Sequence, residues 1–157
     1  MLLAFFQWCE GTAIGQTVRN SVWLFPIIES LHLVSLAILG GALLVTDLRM
    51  LGMGLTGQTI AEVGEETKPW LTVGVVAMIT TGTCLFLSEA LKCYYNPSFW
   101  VKILTLPVAL LFTLTVRATT ARSGGHQPTL RHRLVAIISL SLWFTVAAAG
   151  RWIGFSS

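Results

Sequence analysis

Four long stretches without a formally charged side chain constrain this chain more than any other feature. They cover residues 30–46, 69–88, 103–116 and 134–150. The hydrocarbon core of a bilayer is about 30 Å thick, and about 20 mostly apolar helical residues are needed to cross it. Each stretch reaches that length with its flanking residues. Four crossings use up most of a 157-residue chain. The sequence therefore predicts an all-α, polytopic integral membrane four-helix bundle that forms a single transmembrane domain over residues 1–157.

Proline and asparagine residues suggest where the helices begin. Pro26 falls in the first turns of the first crossing, where a missing N–H costs least, and Pro69 is expected to open the second. Asn96 and Pro97 mark a turn between the second and third crossings. The apolar segment at residues 2–8 predicts a short N-terminal helix lying in the membrane interface. We expect the crossings at about residues 22–46, 69–92, 98–116 and 134–153.

The distribution of basic residues predicts the orientation. The loop at residues 117–133 contains four arginines and no acidic residue, and loops rich in Lys and Arg stay in the cytoplasm. This topology places six basic residues inside (Arg49, Lys68, Arg117, Arg122, Arg131 and Arg133) and four outside (Arg19, Lys92, Lys102 and Arg151). We therefore expect a multi-pass membrane protein with both termini outside.

Glu29 and His32 are the most informative polar residues. They are three residues apart in the first crossing and so project from nearly the same helix face. His32 lies roughly 13 Å along the helix from Trp23, and ionisable groups at such depth usually face the bundle interior with a partner. Glu-x-x-His is also a spacing by which helices present two metal ligands. The alternatives are a haem or metal site, a proton or solute site, or a neutral His32 bonded to a neighbouring serine or carbonyl.

Three further charged residues fall in the outer half of the other crossings. Glu89 closes the second, Lys102 opens the third and Arg151 closes the fourth, so that with Glu29 each helix contributes one charge. The two acidic and two basic groups of this layer can neutralise one another. Arg151 is expected to pair with Glu89 or Glu29. The layer can also form a polar pocket that opens outward and holds an anion, a quinone head group or a metal. The predicted cofactor-binding set is thus His32, Glu29, Glu89, Lys102 and Arg151.

Other residues carry weaker signals. Asp47 and Arg49 end the first crossing and are expected to join a cytoplasmic interface network with Arg117 or Arg131, rather than a lipid head-group site. Cys9 and Cys93 both fall outside the membrane, so a disulfide between them is left open. No nucleophile–base pair, phosphate loop or zinc motif is present. We therefore predict no catalytic residues, and no enzyme activity for the chain alone.

Several segments of the chain carry a family resemblance. They are the segment from Ser21 to His32, the segment from Asp47 to Gly52, Tyr95 to Phe99 with the following Lys102, and Ala149 to Ile153. In these the chain resembles an uncharacterised bacterial inner-membrane family, classed as a domain of unknown function. It is also distantly similar to copper-resistance membrane proteins and small b-type cytochromes. The resemblance implies a fold and a location but no activity.

The similarity to the cytochromes has one clear limit. Those proteins use two histidines per haem, whereas only His32 lies within a predicted crossing here. His126 and His132 lie in the predicted cytoplasmic loop. A five-coordinate haem, a haem shared across a dimer, or another metal therefore remain as alternatives.

These observations favour a small integral membrane subunit of a redox or metal-handling assembly. It would hold haem b, a quinone or a transition metal, or dock a partner, through Glu29, His32 and the outer polar layer. The alternatives are a small proton-coupled transporter in which Glu29 and His32 relay protons or bind solute, and a purely structural accessory subunit. The expected partners are the lipid bilayer and either further copies of the chain or a larger membrane complex, with no nucleic acid.

Overall fold

A computed structural model describes residues 1–154, and within that part every regular element is helical. The α-helices are α1 (Leu2–Glu10), α2 (Ala13–Asn20), α3 (Leu24–Leu51), α4 (Ile60–Ser88), α5 (Ala90–Tyr95), α6 (Pro97–Phe112), α7 (Ala118–Arg122) and α8 (Leu130–Ile153). A π-helical segment, Thr113–Arg117, joins α6 to α7. The predicted domain extends to residue 157, so its last three residues lie outside the described part.

Four helical stretches are long and apolar enough to cross a membrane, which confirms the predicted all-α membrane fold and makes this a multi-pass protein. They are Leu24–Leu51, Ile60–Ser88, Pro97–Arg122 and Leu130–Ile153. We call the end of the bundle that carries residues 52–59 and 123–129 the basic end. The opposite end carries α1, α2 and α5, and we call it the amino-terminal end.

An apolar layer fills the middle of the bundle. Helix α3 packs mainly against α4 and α8, and α6 packs against α8. Leu39 and Leu43 of α3 meet Leu71 of α4 and Trp143 of α8 in one buried cluster. Helices α3 and α4 approach closely at Gly74, where a Cβ atom would lie 2.8 Å from that of Leu39. A glycine is required there because any side chain would push the two backbones apart.

The start of α4 corrects the sequence prediction. Pro69 was expected to open this helix, but α4 begins at Ile60 and Pro69 lies inside it. The reason is a capping box, in which the Thr59 N–H donates to Glu62 Oε2 (2.7 Å) and the Glu62 N–H donates to Thr59 Oγ1 (3.1 Å). These two bonds satisfy backbone donors that would otherwise lack partners at a helix start. The exposed Pro69 is accommodated within the continuing helix.

The other boundaries follow local chemistry. Helix α3 has Pro26 in its first turn, as predicted. The turn between the second and third crossings is also confirmed, because Asn96 Oδ1 accepts from the Ser98 N–H (2.9 Å) and Pro97 is the first residue of α6. The third crossing continues past its predicted end through the π-helical segment to Arg122.

The amino-terminal segment forms two short helices that pack on the bundle. Phe6 and Cys9 of α1 share a buried cluster with Cys93 of α5 and Phe99 of α6. Glu10 fixes this arrangement, because its Oε2 accepts from the backbone N–H of Leu91 (2.7 Å) while its Oε1 pairs with Arg19 of α2. Cys9 and Cys93 are both free thiols.

Candidate functional site

His32 is held in the half of the bundle nearer the amino-terminal end by a hydrogen bond to the neighbouring helix. Its Nδ1 lies 2.8 Å from Thr81 Oγ1 on α4. The Thr81 hydroxyl donates its single hydrogen to the backbone carbonyl of Ala77 (2.6 Å), so it accepts from His32. In a neutral imidazole one ring nitrogen carries the hydrogen and the other keeps a lone pair. Nδ1–H is therefore the donor, and Nε2 presents its lone pair.

Lys102 is the second member of this site. It lies within electrostatic reach of His32, and two glycines make room for the pair. A Cβ atom at Gly82 would lie 3.1 Å from His32 Cε1, and one at Gly150 would lie 3.2 Å from Lys102 Nζ. Both side chains are half-buried. We call His32, Thr81 and Lys102 the His32–Lys102 site.

The reactive atoms of this site have no protein partner in the described part of the chain. Neither His32 Nε2 nor Lys102 Nζ makes a hydrogen bond or an ion pair there. Neither atom is shut off from the surface, in contrast to the buried polar atoms near the basic end. Ionisable groups within a membrane usually face a partner. An unpartnered acceptor and an unpartnered ammonium group within electrostatic reach of each other thus form a candidate ligand site.

The remaining predicted site residues are exposed or lie against another charged residue. Glu29 is exposed on α3. The Glu89 carboxylate lies 3.6 Å from Nζ of Lys92, which follows it by three residues in the chain. Arg151 is exposed near the end of α8. From the predicted set the structure therefore brings His32 and Lys102 within electrostatic reach of each other, and it adds Thr81 of α4.

The donor set does not resemble a metal centre. Within residues 1–154 no three His, Cys, Asp or Glu side chains come together, whereas a structural zinc site has four protein ligands and a catalytic one has three. The Lys102 ammonium also places a positive charge close to His32. His126 and His132 lie at the basic end, so they are not positioned to complete a bis-histidine haem site with His32.

A second polar cluster lies between the apolar layer and the basic end. Arg117 Nε donates to Asp47 Oδ1 (2.7 Å), and Arg117 Nη2 donates to the backbone carbonyl of Leu43 (3.3 Å). The two charged side chains are 6% and 0% exposed. Their pairing was one of two alternatives drawn from the sequence, but their burial was missed. The sequence did contain a signal for it. Asp47 and Arg117 each directly follow a long uncharged stretch, at the same end of the bundle, and their charges are opposite.

The basic end itself is closed by backbone contacts. Arg49 is buried, and its guanidinium donates to the carbonyls of Gln58 (2.9 Å) and His126 (2.7 Å). The backbone N–H of Ile60 donates to the carbonyl of Gly125 (3.2 Å). Arg49 therefore fastens the two loops at this end together.

The cysteines at the amino-terminal end are unreactive by environment. Burial raises the pKa of Cys9. Burial, followed by the negative charge of Glu89, raises the pKa of Cys93 from 9.0 to about 11. Thiolates are the nucleophilic form of cysteine, so neither residue is a candidate nucleophile at neutral pH.

Comparison with known proteins identifies a family but no activity. No curated protein and no solved structure matches the chain. The model of one family, described as a family of unknown function, matches residues 5–156. This agrees with the resemblance found in the sequence. Because the match covers nearly the whole length, the chain belongs to the family of unknown function DUF6644.

Proposed function

We propose that this protein is a small integral membrane subunit of a redox assembly that binds the head group of a quinone at the His32–Lys102 site. The observation that carries the proposal is that two partnerless groups, His32 Nε2 on α3 and Lys102 Nζ on α6, lie within electrostatic reach of each other toward the amino-terminal end of the bundle. One group accepts a hydrogen bond and the other donates, so the ligand must offer both functions.

A hydroquinone head group satisfies this requirement. One of its hydroxyl groups donates to His32 Nε2, and its second oxygen accepts from the Lys102 ammonium. Lys102 also stabilises negative charge that develops on that oxygen, and hydrogen bonds from a charged donor are about twice as strong as neutral ones. His32 remains oriented because Thr81 holds its other ring nitrogen.

The surroundings favour an apolar, membrane-soluble ligand. An open groove of about 440 Å³ runs between α6 and α8. Its walls include Val101 and Ala149, the residues next to Lys102 and Gly150. Ligand sites are typically mostly apolar with a few placed polar groups. A quinone tail in this groove would lie within the hydrocarbon region, next to the helix positions of Lys102 and Gly150.

The experiment is a titration of the purified protein, in mild detergent, with a short-chain ubiquinone analogue. Lys102→Met removes the proposed donor, and Lys92→Met removes an exposed lysine that pairs with Glu89. A hydrogen bond from a charged group contributes about 1.5–3 kcal/mol, so Lys102→Met should weaken binding roughly 10- to 150-fold. Lys92→Met should bind as the wild type does.

A spectroscopic measurement adds a readout that a structural role would not change. A semiquinone generated in ¹⁵N-labelled protein should show magnetic coupling to a histidine nitrogen, and that coupling should vanish in His32→Leu. Equal affinities in the two lysine variants, or a wild type that binds no quinone, would contradict the proposal. Binding of a fatty-acid carboxylate in place of the quinone would also contradict it.

A second candidate function is proton-coupled transport, which the buried Asp47–Arg117 pair favours. Intramembrane ion pairs often mark proton or solute pathways. In proteoliposomes containing a pH-sensitive dye, proton uptake should depend on Asp47 and be abolished by Asp47→Asn. Glu66→Gln, an exposed carboxylate on α4, is the control. Wild-type uptake no faster than that of empty liposomes would exclude this function.

A further inference from the structure

The buried polar atoms that lack partners are concentrated in one region. Among the described residues, four buried side-chain nitrogen or oxygen atoms make no hydrogen bond of ordinary length: Asp47 Oδ2, Thr120 Oγ1, His132 Nε2 and Ser139 Oγ. Their residues are between 0% and 6% exposed. Buried polar atoms in proteins are almost always bonded to protein or to water. All four lie between the apolar layer and the basic end, and two of them, on Asp47 and Ser139, are within hydrogen-bonding reach of each other.

These atoms occupy successive levels along the bundle. Ser139 of α8 lies beside the Asp47 carboxylate, which Arg117 holds from the other side. Thr120 is one turn from Arg117 toward the basic end. His132 is two turns from Ser139 in the same direction, about 10 Å along α8 and on the same helix face. The atoms thus lead from the loop at residues 123–129 inward to Asp47.

The outermost member, His132, presents a donor. The Thr129 N–H donates to His132 Nδ1 (3.1 Å), so in the neutral ring the hydrogen is on Nε2. A Cβ atom at Gly124 would lie 3.0 Å from Nε2, which places that nitrogen directly beneath the loop. Asp47 Oδ2 is an acceptor, and the two hydroxyl groups can donate or accept. The set can therefore hydrogen-bond a continuous file of water molecules.

We propose that the four atoms line a narrow file of bound water that connects the basic end to Asp47. Roughly three waters spaced 2.8 Å apart span the distance from His132 to Ser139. They would run beside the buried apolar side chains of Val135 and Ala136 on α8 and bond mainly to one another, because buried water needs two or more polar partners. The file ends at the apolar layer of Leu39 and Leu43. Asp47 therefore exchanges protons with one side of the membrane.

The charges around Asp47 agree with this assignment. Arg117 donates to one carboxylate oxygen and leaves Oδ2 for water. Arg49 is occupied by loop carbonyls, and His132 lies at the mouth of the file. Arg117 also belongs to the π-helical segment, and π-helical turns occur frequently at functional sites.

The test uses the fact that Asp47 is the single aspartate in the sequence. Protein labelled with ¹³C at the aspartate carboxyl carbon therefore gives one side-chain resonance, which reports this site alone. Solid-state NMR of the full chain in lipid bilayers then measures magnetisation transfer from water to that carbon. We expect clear transfer in the wild type, although the Asp47 side chain is 0% exposed.

Matched variants locate the water. Thr120→Val and Ser139→Ala remove the proposed partners with little change of volume, and the transfer should be lost or strongly slowed. Thr119→Val and Ser141→Ala change exposed neighbours on the same helices and should leave it unchanged. An Asp47 signal that receives no magnetisation from water in the wild type would overturn the proposal, and this measurement needs no variant to fold. Equal slowing in the control variants would also overturn it.

Discussion

Replacing Arg117 with leucine should destabilise the protein far more than replacing Arg122, although the two arginines are close in the sequence. Arg117 is the ion-pair partner of Asp47 at 2.7 Å, and the two side chains are 6% and 0% exposed. Removing one member of a buried pair strands the other charge and typically costs about 3–5 kcal/mol. Arg122 is 61% exposed and lies 3.6 Å from Glu65. Such surface pairs contribute about 0–1 kcal/mol.

The two variants are compared by unfolding in mixed micelles with increasing sodium dodecyl sulfate, followed by circular dichroism. The expected difference in the free energy of unfolding is about 3 kcal/mol, which is roughly a hundredfold in the folding equilibrium constant. A second comparison distinguishes the cost of leaving the Asp47 charge without its partner from the cost of losing the packing of the Arg117 side chain. Replacing both Asp47 and Arg117 with leucine removes both charges, and such apolar replacements are often neutral or stabilising. The double variant should therefore be more stable than Arg117→Leu.

Two results would refute this reasoning. If Arg117→Leu and Arg122→Leu unfold at the same detergent fraction, then the Asp47 carboxylate is not stranded by the loss of its partner. If the double variant is no more stable than Arg117→Leu, then the arginine side chain contributes through packing rather than through its charge.

Three further predictions concern other parts of the molecule. Gly74→Ala should lower the free energy of unfolding by about 1–3 kcal/mol, because the added methyl group meets the α3 backbone at 2.9 Å. The control, Gly41→Ala, should be neutral, because its methyl group meets nothing within 4 Å. Alkylation of Cys93 at pH 8 should be about 100-fold slower in the folded protein than after unfolding, because its pKa is raised from 9.0 to about 11. Single cysteines at Ser123 and Gln16 should react with membrane-impermeant reagents from the cytoplasmic and the outer side, respectively.

Each of these predictions has a distinct contrary result. Equal stabilities of the two glycine variants would show that α3 and α4 can separate at no cost. The raised thiol pKa also predicts stability that is complete below pH 9 and is lost as the pH rises toward 11. Loss of stability below pH 9 would point to another group. Labelling of the Ser123→Cys variant from the outer side would show that the topology is the reverse of the predicted one. The His32–Lys102 site would then lie on the cytoplasmic side.

The number of crossings could be predicted because lack of charge over about 20 residues is a direct requirement of the bilayer. The helix ends could not be predicted from the same signal. Helix α4 begins well before Pro69 because the Thr59 capping box starts it in a polar segment. Hydropathy identifies the residues that can lie in the membrane, and a helix can extend beyond them. The π-helical segment was also missed, because it depends on which backbone groups pair and not on residue type.

The candidate sites were predictable to different degrees. The depth of His32 followed from its distance along the helix, but its partner did not, because the rotation of α3 against α4 is set by packing at Gly74. That rotation turns His32 toward Thr81 and leaves Glu29 exposed. Asp47 and Arg117 are 70 residues apart in sequence, and only the packed bundle shows that they are buried together.

The two polar sites are separated by the apolar layer. His32 and Asp47 are 15 positions apart on α3, about 22 Å along its axis, and between them Leu39 and Leu43 are 1% and 2% exposed. A continuous proton relay from His32 to Asp47 would have to cross this layer, where the polar group of Trp143 is already used in a hydrogen bond from its Nε1 to Thr113 Oγ1 (2.9 Å). Any coupling between the two sites must therefore travel through movement of α3 itself. Its close contact with Gly74 lies at the level of Leu39, where a small displacement affects both halves.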